Sequence, residues 1–408
     1  MDMITMDEAI DLVLQHTSPI DETNAGLMDA LACTLAADVR SDIDMPPFDK
    51  ATMDGYAVVG EDVADAQRQR PAVLDVIEEI PAGSVPQKKV APGQAARIMT
   101  GAPMPDGADT VVMVEDTVPE RDGEGVRVLA PTEPGRNVAP LGEDVRRNQV
   151  VLEAGTWIRP PEIGILAAVG VVSVPVYRRP VVGVVATGSE IVEPGSNPGA
   201  GQIRNSNGYS MMAQALRSGA QTRYLGIVED DEDALKAVIS RGLDECDVVL
   251  LSGGVSAGIY DLVQGAMRDC GVEIHFDRIR MKPGKPLTFG ARGNKLVFGL
   301  PGNPVSAVVG LELLVRPAVR KMQRMSEIHR PMVRGRLAQG FRQSPGRKQF
   351  VPARSGEVNG RWESNWVGHH GSADLFSLTR ANSLFVVEAE VDTLDAGAEV
   401  DIVLLEEW

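Results

Sequence analysis

The chain has 408 residues, 43% of them hydrophobic and 24% charged, which fits a soluble globular protein too long for one ordinary core and divided into two to four domains. Forty basic against fifty-seven acidic side chains leave a net charge of −17, a field that disfavours nucleic acid and anionic membrane as partners. The 3 cysteines (Cys33, Cys246, Cys270) have no C-x-x-C spacing and read as reduced thiols; with no apolar run near the length of a membrane span, a cytoplasmic protein is expected.

Thr5-Met6-Asp7-Glu8 is a capping-box pattern, and Ile10, Val13 and Leu14 give the helix that follows one apolar face. A second helix is expected around Leu27 to Asp38. From Asp44 the texture changes to short β-type runs punctuated by Pro and Gly, and Tyr56 to about Pro134 reads as a small β-rich domain. Gly135-Arg136-Asn137 and Gly142-Glu143-Asp144 mark the return from it, and Pro161 to Gly170 reads as a short helix. From Val181 strands and helices alternate as far as a long last helix, Val305 to Met325, which is the pattern of a doubly wound parallel sheet. Pro331 to Trp408 returns to short β segments and reads as a small barrel or sandwich. The fold class is therefore multidomain α/β plus β: a discontinuous N-terminal domain (1–46 and 135–176), an inserted β-rich domain (47–134), an α/β domain (177–326) and a C-terminal β domain (327–408).

Four loops of the α/β region follow strands: Thr187-Gly188-Ser189-Glu190, Glu229-Asp230, Ser252 to Asp261, and Pro301-Gly302-Asn303-Pro304. In a parallel sheet all four lie on one edge, where such folds bind ligands. Each alone is an ordinary helix cap; together they offer the carboxylates Glu190, Asp230 and Asp261 with glycine amides, a mixture suited to a phosphate bridged to protein by Mg²⁺. Ser252-Gly253-Gly254-Val255-Ser256 reads as an anion cradle at a helix start. The same letters, Gly254-Val255-Ser256-Ala257-Gly258, also fit a hydrolase nucleophile elbow. That reading needs a later acid and histidine, and only Asp277 with His329 is near, neither in a strand-end loop; the cradle is preferred. Arg278 to Pro286 packs Arg278, Arg280, Lys282 and Lys285 into a kinked loop, either a solvated surface turn or, in so acidic a chain, the place for an anionic substrate. Asp54 and Asp144 sit where the chain enters and leaves the β-rich domain, and crossing points often edge active-site clefts.

In order along nearly the whole chain run Pro47-Phe48-Asp49 with Met53-Asp54-Gly55-Tyr56-Ala57, Arg97-Ile98-Met99-Thr100-Gly101-Ala102, Pro105-Asp106-Gly107-Ala108-Asp109, Gly142-Glu143-Asp144, Thr187-Gly188-Ser189-Glu190, Ser206-Asn207, Ser252-Gly253-Gly254-Val255-Ser256, Lys282-Pro283-Gly284-Lys285-Pro286 and Leu300-Pro301-Gly302-Asn303-Pro304-Val305. This ordered set resembles the molybdopterin molybdenumtransferase family of molybdenum cofactor synthesis, which includes the C-terminal part of gephyrin. The resemblance implies an α/β domain with the fold of molybdopterin adenylyltransferases, and a homodimer whose cleft lies between the α/β domain of one subunit and the inserted-domain region of the other. It implies insertion of molybdate into adenylylated molybdopterin with release of AMP and a need for Mg²⁺. Molybdopterin adenylyltransferase and molybdoenzyme apo-proteins are further implied partners.

Carried over by motif, Asp54, Thr100, Asp144, Glu190, Asp230 and Asp261 are the implied catalytic residues, with Glu190 and Asp261 the implied metal ligands. Ser252, Gly253, Gly254, Ser256, Arg280, Lys282, Lys285, Pro301, Gly302, Asn303, Pro304 and Ser372 are the implied substrate contacts. The chain departs from the family pattern after Gly258, where an acidic or polar residue is replaced by Ile259. It departs again where G-R-x-E-F-x-R reads Gly346-Arg347-Lys348-Gln349-Phe350-Val351-Pro352, and where Gly371-Ser372 is followed by Ala373. A non-catalytic scaffold binding molybdopterin or a protein is the alternative class; the five implied carboxylates argue against plain anion binding.

Overall fold

The computed structural model describes residues 2–120, 124–253, 259–368 and 371–405, with residues 259–261 described by their backbone alone. The chain divides into two compact units. One comprises Met1–Ala36, Gly155–Arg159 and Ser173–Trp408; the other comprises Ala37–Ala154 and Pro160–Val172.

In the first unit a six-stranded sheet has the order Gln221–Val228, Val181–Thr187, Val248–Ser252, Lys295–Leu300, Thr288–Arg292, Glu273–Phe276. The first four strands are parallel, as the alternating pattern predicts. Thr288–Arg292 runs against them, antiparallel to both its neighbours, because Gly293-Asn294 turns the chain straight back from Arg292 to Lys295. Side chains alternate between two cores. Val182, Val184, Val248 and Leu250 pack with Met211, Leu311 and the N-terminal helix. Val185, Val249 and Leu251 pack with Leu235, Ile239, Val263 and Met267.

The N-terminal helix, Met6–Gln15, begins with the predicted capping box: Thr5 Oγ1 accepts from the Glu8 amide at 3.2 Å and Glu8 Oε2 from the Thr5 amide at 2.7 Å. Leu27 to Asp38 does not form the expected helix. It carries a turn and the strand Thr34–Leu35, with Ala32 at φ 60, and both Thr34–Leu35 and Glu22–Gly26 pair with Ser173–Tyr177. Strand partners supplied from far along the chain outweigh local helix propensity there. The long last helix forms as Pro304–Gly310 and Arg316–Met322 joined through a π turn, Leu311–Val315, at which Glu312 forms a buried pair with Arg330 at 2.7 Å. The C-terminal region is a closed five-stranded barrel. Its strands follow the order Lys348–Val358, Arg361–Trp366, Met332–Leu337, Glu399–Leu404, Ser383–Val387, and the last pairs back on the first. Closure removes every open edge around a core of Leu337, Val351, Phe385 and Ile402.

The second unit holds the predicted β-rich piece as a six-stranded sheet ordered Thr110–Met113, Gly55–Val58, Gln94–Ile98, Ala72–Ile80, Gly125–Val128, Thr117–Pro119. Tyr56 and Val58 face one core and Ala57 the other. The helix expected from Pro161 is Pro160–Ala168. No helix among the described residues is long and apolar enough to cross a membrane.

One carboxylate pins the amino ends of the central strands. Asp247 accepts from Arg178 Nη1 and Nη2 at 2.7 and 2.8 Å, from the Val181 amide at 2.8 Å and from Lys295 Nζ at 3.4 Å. Burial pushes its carboxyl up, but the Arg178 hydrogen bonds, the Val181 amide and the two positive charges outweigh that and hold it below the usual carboxylate range. A depressed carboxyl stabilises the fold above its unfolded pKa, and that contribution is lost as pH falls through the folded pKa. Asp247→Asn is expected to cost roughly 3 kcal/mol at neutral pH. Denaturant titrations at falling pH should show the difference from the parent shrinking below the ordinary carboxylate range.

Candidate active site

Because four strands are parallel, the loops after Thr187, Val228, Ser252 and Leu300 emerge on one edge. The crevice lies between Val181–Thr187 and Val248–Ser252, where the strand order reverses direction. Gly253 takes φ 110, and a Cβ there would run into the Thr187 carbonyl oxygen, so this position admits only glycine. Asn207 ties two loops together, donating from Nδ2 to Ser252 Oγ at 2.9 Å and to the Gly302 carbonyl at 2.7 Å. The Ser252 hydroxyl is thus buried and engaged by the protein.

Two cavities of opposite character open here, and Asn303 lines both. The first, about 530 Å³, is bounded by Thr187, Gly188, Glu190, Asn207, Asp230, Ser252, Gly253 and Gly302, with Arg204 at its wall. The Ser189 amide hydrogen-bonds the Asp230 carboxylate, yet Asp230 Oδ1 is buried with no partner. Burial, then the charge of Glu190, push the Asp230 carboxyl above the usual carboxylate range. An uncompensated carboxylate oxygen beside a second carboxylate, with oxygen donors throughout, suits a hard divalent cation. Among the described residues no three His, Cys, Asp or Glu side chains converge as a metal cluster. The side chain of Asp261 lies outside the described residues, as do Gly254 and Ser256; the backbone puts Asp261 in the first turn of the helix Ile259–Asp269.

The second cavity, about 460 Å³, is lined by Lys282, Lys285, Arg347, Gln349, Ser372, Pro301 and Asn303. The basic loop is held by strand pairing to the barrel, Met281 with Lys348 and Lys282 with Gln349, and the Val305 amide donates to the Ser372 carbonyl at 3.1 Å. Asn303 occupies the N-cap position of Pro304–Gly310 without a side-chain cap bond, so its amide is not spent on the helix. Arg280 is exposed and lines neither cavity; its amide donates to the Ile4 carbonyl at 2.7 Å.

In the second unit Asp54 and Thr100 form one group: Asp54 Oδ1 accepts from the Thr100 amide at 2.7 Å and its hydroxyl at 2.8 Å. Those bonds, the amide's first, hold the exposed Asp54 carboxyl below the usual carboxylate range. Asp144 sits on the return turn, its amide donating to the Met45 carbonyl at 2.9 Å. Asp49, part of the same motif as Asp54, is structural: its Oδ1 accepts from the Leu141 amide at 2.6 Å.

Comparison with known proteins gives the family. The description "MoeA N-terminal region (domain I and II)" fits residues 4–170, "Probable molybdopterin binding domain" 183–321, and "MoeA C-terminal region (domain IV)" 334–405. The chain belongs to the MoeA family of molybdopterin molybdenumtransferases. A molybdopterin molybdenumtransferase of Bacillus subtilis is 34% identical over 406 residues, covering 99% of this chain and 94% of the relative. One of Nostoc is 37% identical over 376 residues, covering 91% and 86%. A molybdopterin biosynthesis MoeA protein of Pyrococcus horikoshii superposes with TM-score 0.80 at 32% identity over 100% of both chains. MoeA membership makes the chain a transferase and sets the hydrolase reading aside. His275 stacks on His16 at 3.7 Å and His329 lines a separate cavity, so neither belongs to the strand-end crevice.

In the sequence Arg347 and Asn207 stand only as parts of motifs, yet one lines the basic cavity and the other holds the crevice loops. Their signal was the charge and amide at loop positions, which has no meaning until the strand ends converge. Gly253→Ala should lower the thermal midpoint and abolish turnover together, because the Thr187 carbonyl must move to admit a methyl group. A variant with parent-like melting and turnover would show that the loop adjusts freely.

Proposed function

We propose that the protein inserts molybdate into adenylylated molybdopterin, yielding molybdenum cofactor and AMP. The observation that carries this is the pairing of an acidic and a basic cavity across Asn303. Lys282, Lys285 and Arg347 attract the tetrahedral oxyanion electrostatically, and Ser372 offers a hydrogen bond. The acidic cavity, with Glu190 and Asp230, would hold Mg²⁺ together with the substrate's phosphates, and Asp261 is the further ligand that the resemblance implies. When bound, Mg²⁺ neutralises phosphate charge and polarises the scissile link. The residues of the chain orient the two substrates and supply no nucleophile: a molybdate oxygen attacks the adenylyl phosphorus and breaks its link to the pterin phosphate, and the two dithiolene thiols then replace the AMP-bearing oxygen and one further oxygen on molybdenum, which leave as AMP and, with the two thiol protons, water. Asp54, Thr100 and Asp144 serve the same reaction from the second unit, in a homodimer where one subunit completes the cleft of its partner. Molybdopterin adenylyltransferase hands over the substrate, apo-molybdoenzymes accept the product, and the work is cytoplasmic.

The test mixes purified protein with adenylylated molybdopterin, molybdate and Mg²⁺ and follows AMP. Failure to release AMP would leave only a scaffold. The paired Lys282→Ala and Lys285→Ala replacement should weaken molybdate binding and flatten its dependence on ionic strength; an unchanged salt slope would make the basic loop a surface turn. Asp230→Asn should raise the Mg²⁺ concentration needed for half-maximal turnover. In the parent, that requirement should climb on acidification from above the ordinary carboxylate range, since a raised carboxyl takes up its proton early.

A further inference from the structure

Gln349 stands apart from the other groups of the basic cavity. It is 4% exposed, lines the cavity, and its Oε1 is buried without a hydrogen-bond partner. A buried amide left unpaired costs stability unless something else satisfies it. Strand register sets it directly beside Lys282, and two residues along from Arg347. Arg347 immediately precedes the strand Lys348–Val358 that carries Gln349, and both line the cavity.

We propose that Gln349 is a specificity-determining residue, presenting its amide N–H to a fully deprotonated tetrahedral oxyanion. The proposal rests on the reading of the basic cavity as the molybdate site. An ionised carboxylate only accepts hydrogen bonds; it favours an oxyanion that retains a proton, such as hydrogen phosphate, and repels one that has none, such as molybdate, tungstate or sulfate. An amide can turn by half a rotation to donate instead, and it subtracts nothing from the positive charge of Lys282, Lys285 and Arg347. The unpaired orientation fits this, because no protein group bonds Oε1 to hold the amide in place.

The experiment titrates molybdate, sulfate and phosphate separately into the full-length protein, its Gln349→Glu and Gln349→Leu variants, and the Lys282→Ala/Lys285→Ala variant, with melting curves for each. Gln349→Glu should bind molybdate and sulfate about tenfold or more weakly while losing much less for phosphate. Its sulfate affinity should recover as pH is lowered and the new carboxyl protonates, whereas the parent's stays level. Gln349→Leu should lose several-fold for molybdate and sulfate, and it carries the test if the glutamate variant does not fold. Parent-like affinities in both variants, or equal losses for all three anions with no pH recovery, would overturn the role of Gln349 while lysine-dependent molybdate binding kept the cavity reading intact. A parent that binds no molybdate, or binds it without regard to Lys282 and Lys285, would overturn both.

Discussion

Asp247 holds the start of the central strands, and everything at their far ends inherits that placement. Its carboxylate binds the Arg178 guanidinium and the Val181 amide, while its own amide donates to the Val181 carbonyl at 2.8 Å and its carbonyl accepts from the Leu296 amide at 3.0 Å. Three parallel strands are thereby aligned at their amino ends. A strand advances about 3.3 Å per residue, so a slip of one position would carry a loop residue out of reach of its ligand and invert the faces. The strand-end crevice is as well ordered as the opposite edge permits.

What that alignment delivers is a separation of charge. A chain of net charge −17 concentrates Lys282, Lys285 and Arg347 around one cavity and leaves Glu190 and Asp230 around its neighbour. An oxyanion and a cation–phosphate group need opposite fields, and at close range a shared field would serve neither. Asn303, neutral and with its amide not spent on capping, lines both cavities between the two groups. The C-terminal barrel contributes to the basic side through strand pairing at Lys282, which couples the geometry of that cavity to barrel closure.

Much of this was legible from residue order. The Thr5 capping box, the alternating strands and helices, and the strand-end loops depend on local chemistry and on periodicity, which sequence carries directly. The hairpin at Gly293-Asn294 had a readable turn signal between two apolar runs, although the sheet was expected to be wholly parallel. The strand at Thr34–Leu35 had none, since its partner Ser173–Tyr177 lies far along the chain. Arg280, grouped with Lys282 and Lys285 by proximity in sequence, lines neither cavity: it precedes the short strand Met281–Lys282, where its amide bonds the Ile4 carbonyl, a placement that charge density along the chain does not record.

The sequence by itself therefore determined the kinds of element, the family, and the inventory of acids, cations and glycines available for chemistry. Only the tertiary structure decided which of them share a cavity: that burial and then Glu190 raise the carboxyl of Asp230, that Arg347 joins the lysines, and that Gln349 is buried beside Lys282 with an acceptor unpaired. The reason is physical. Local propensity and pattern act over a few residues, whereas desolvation and charge coupling depend on distances that exist only once strands from distant parts of the chain lie side by side.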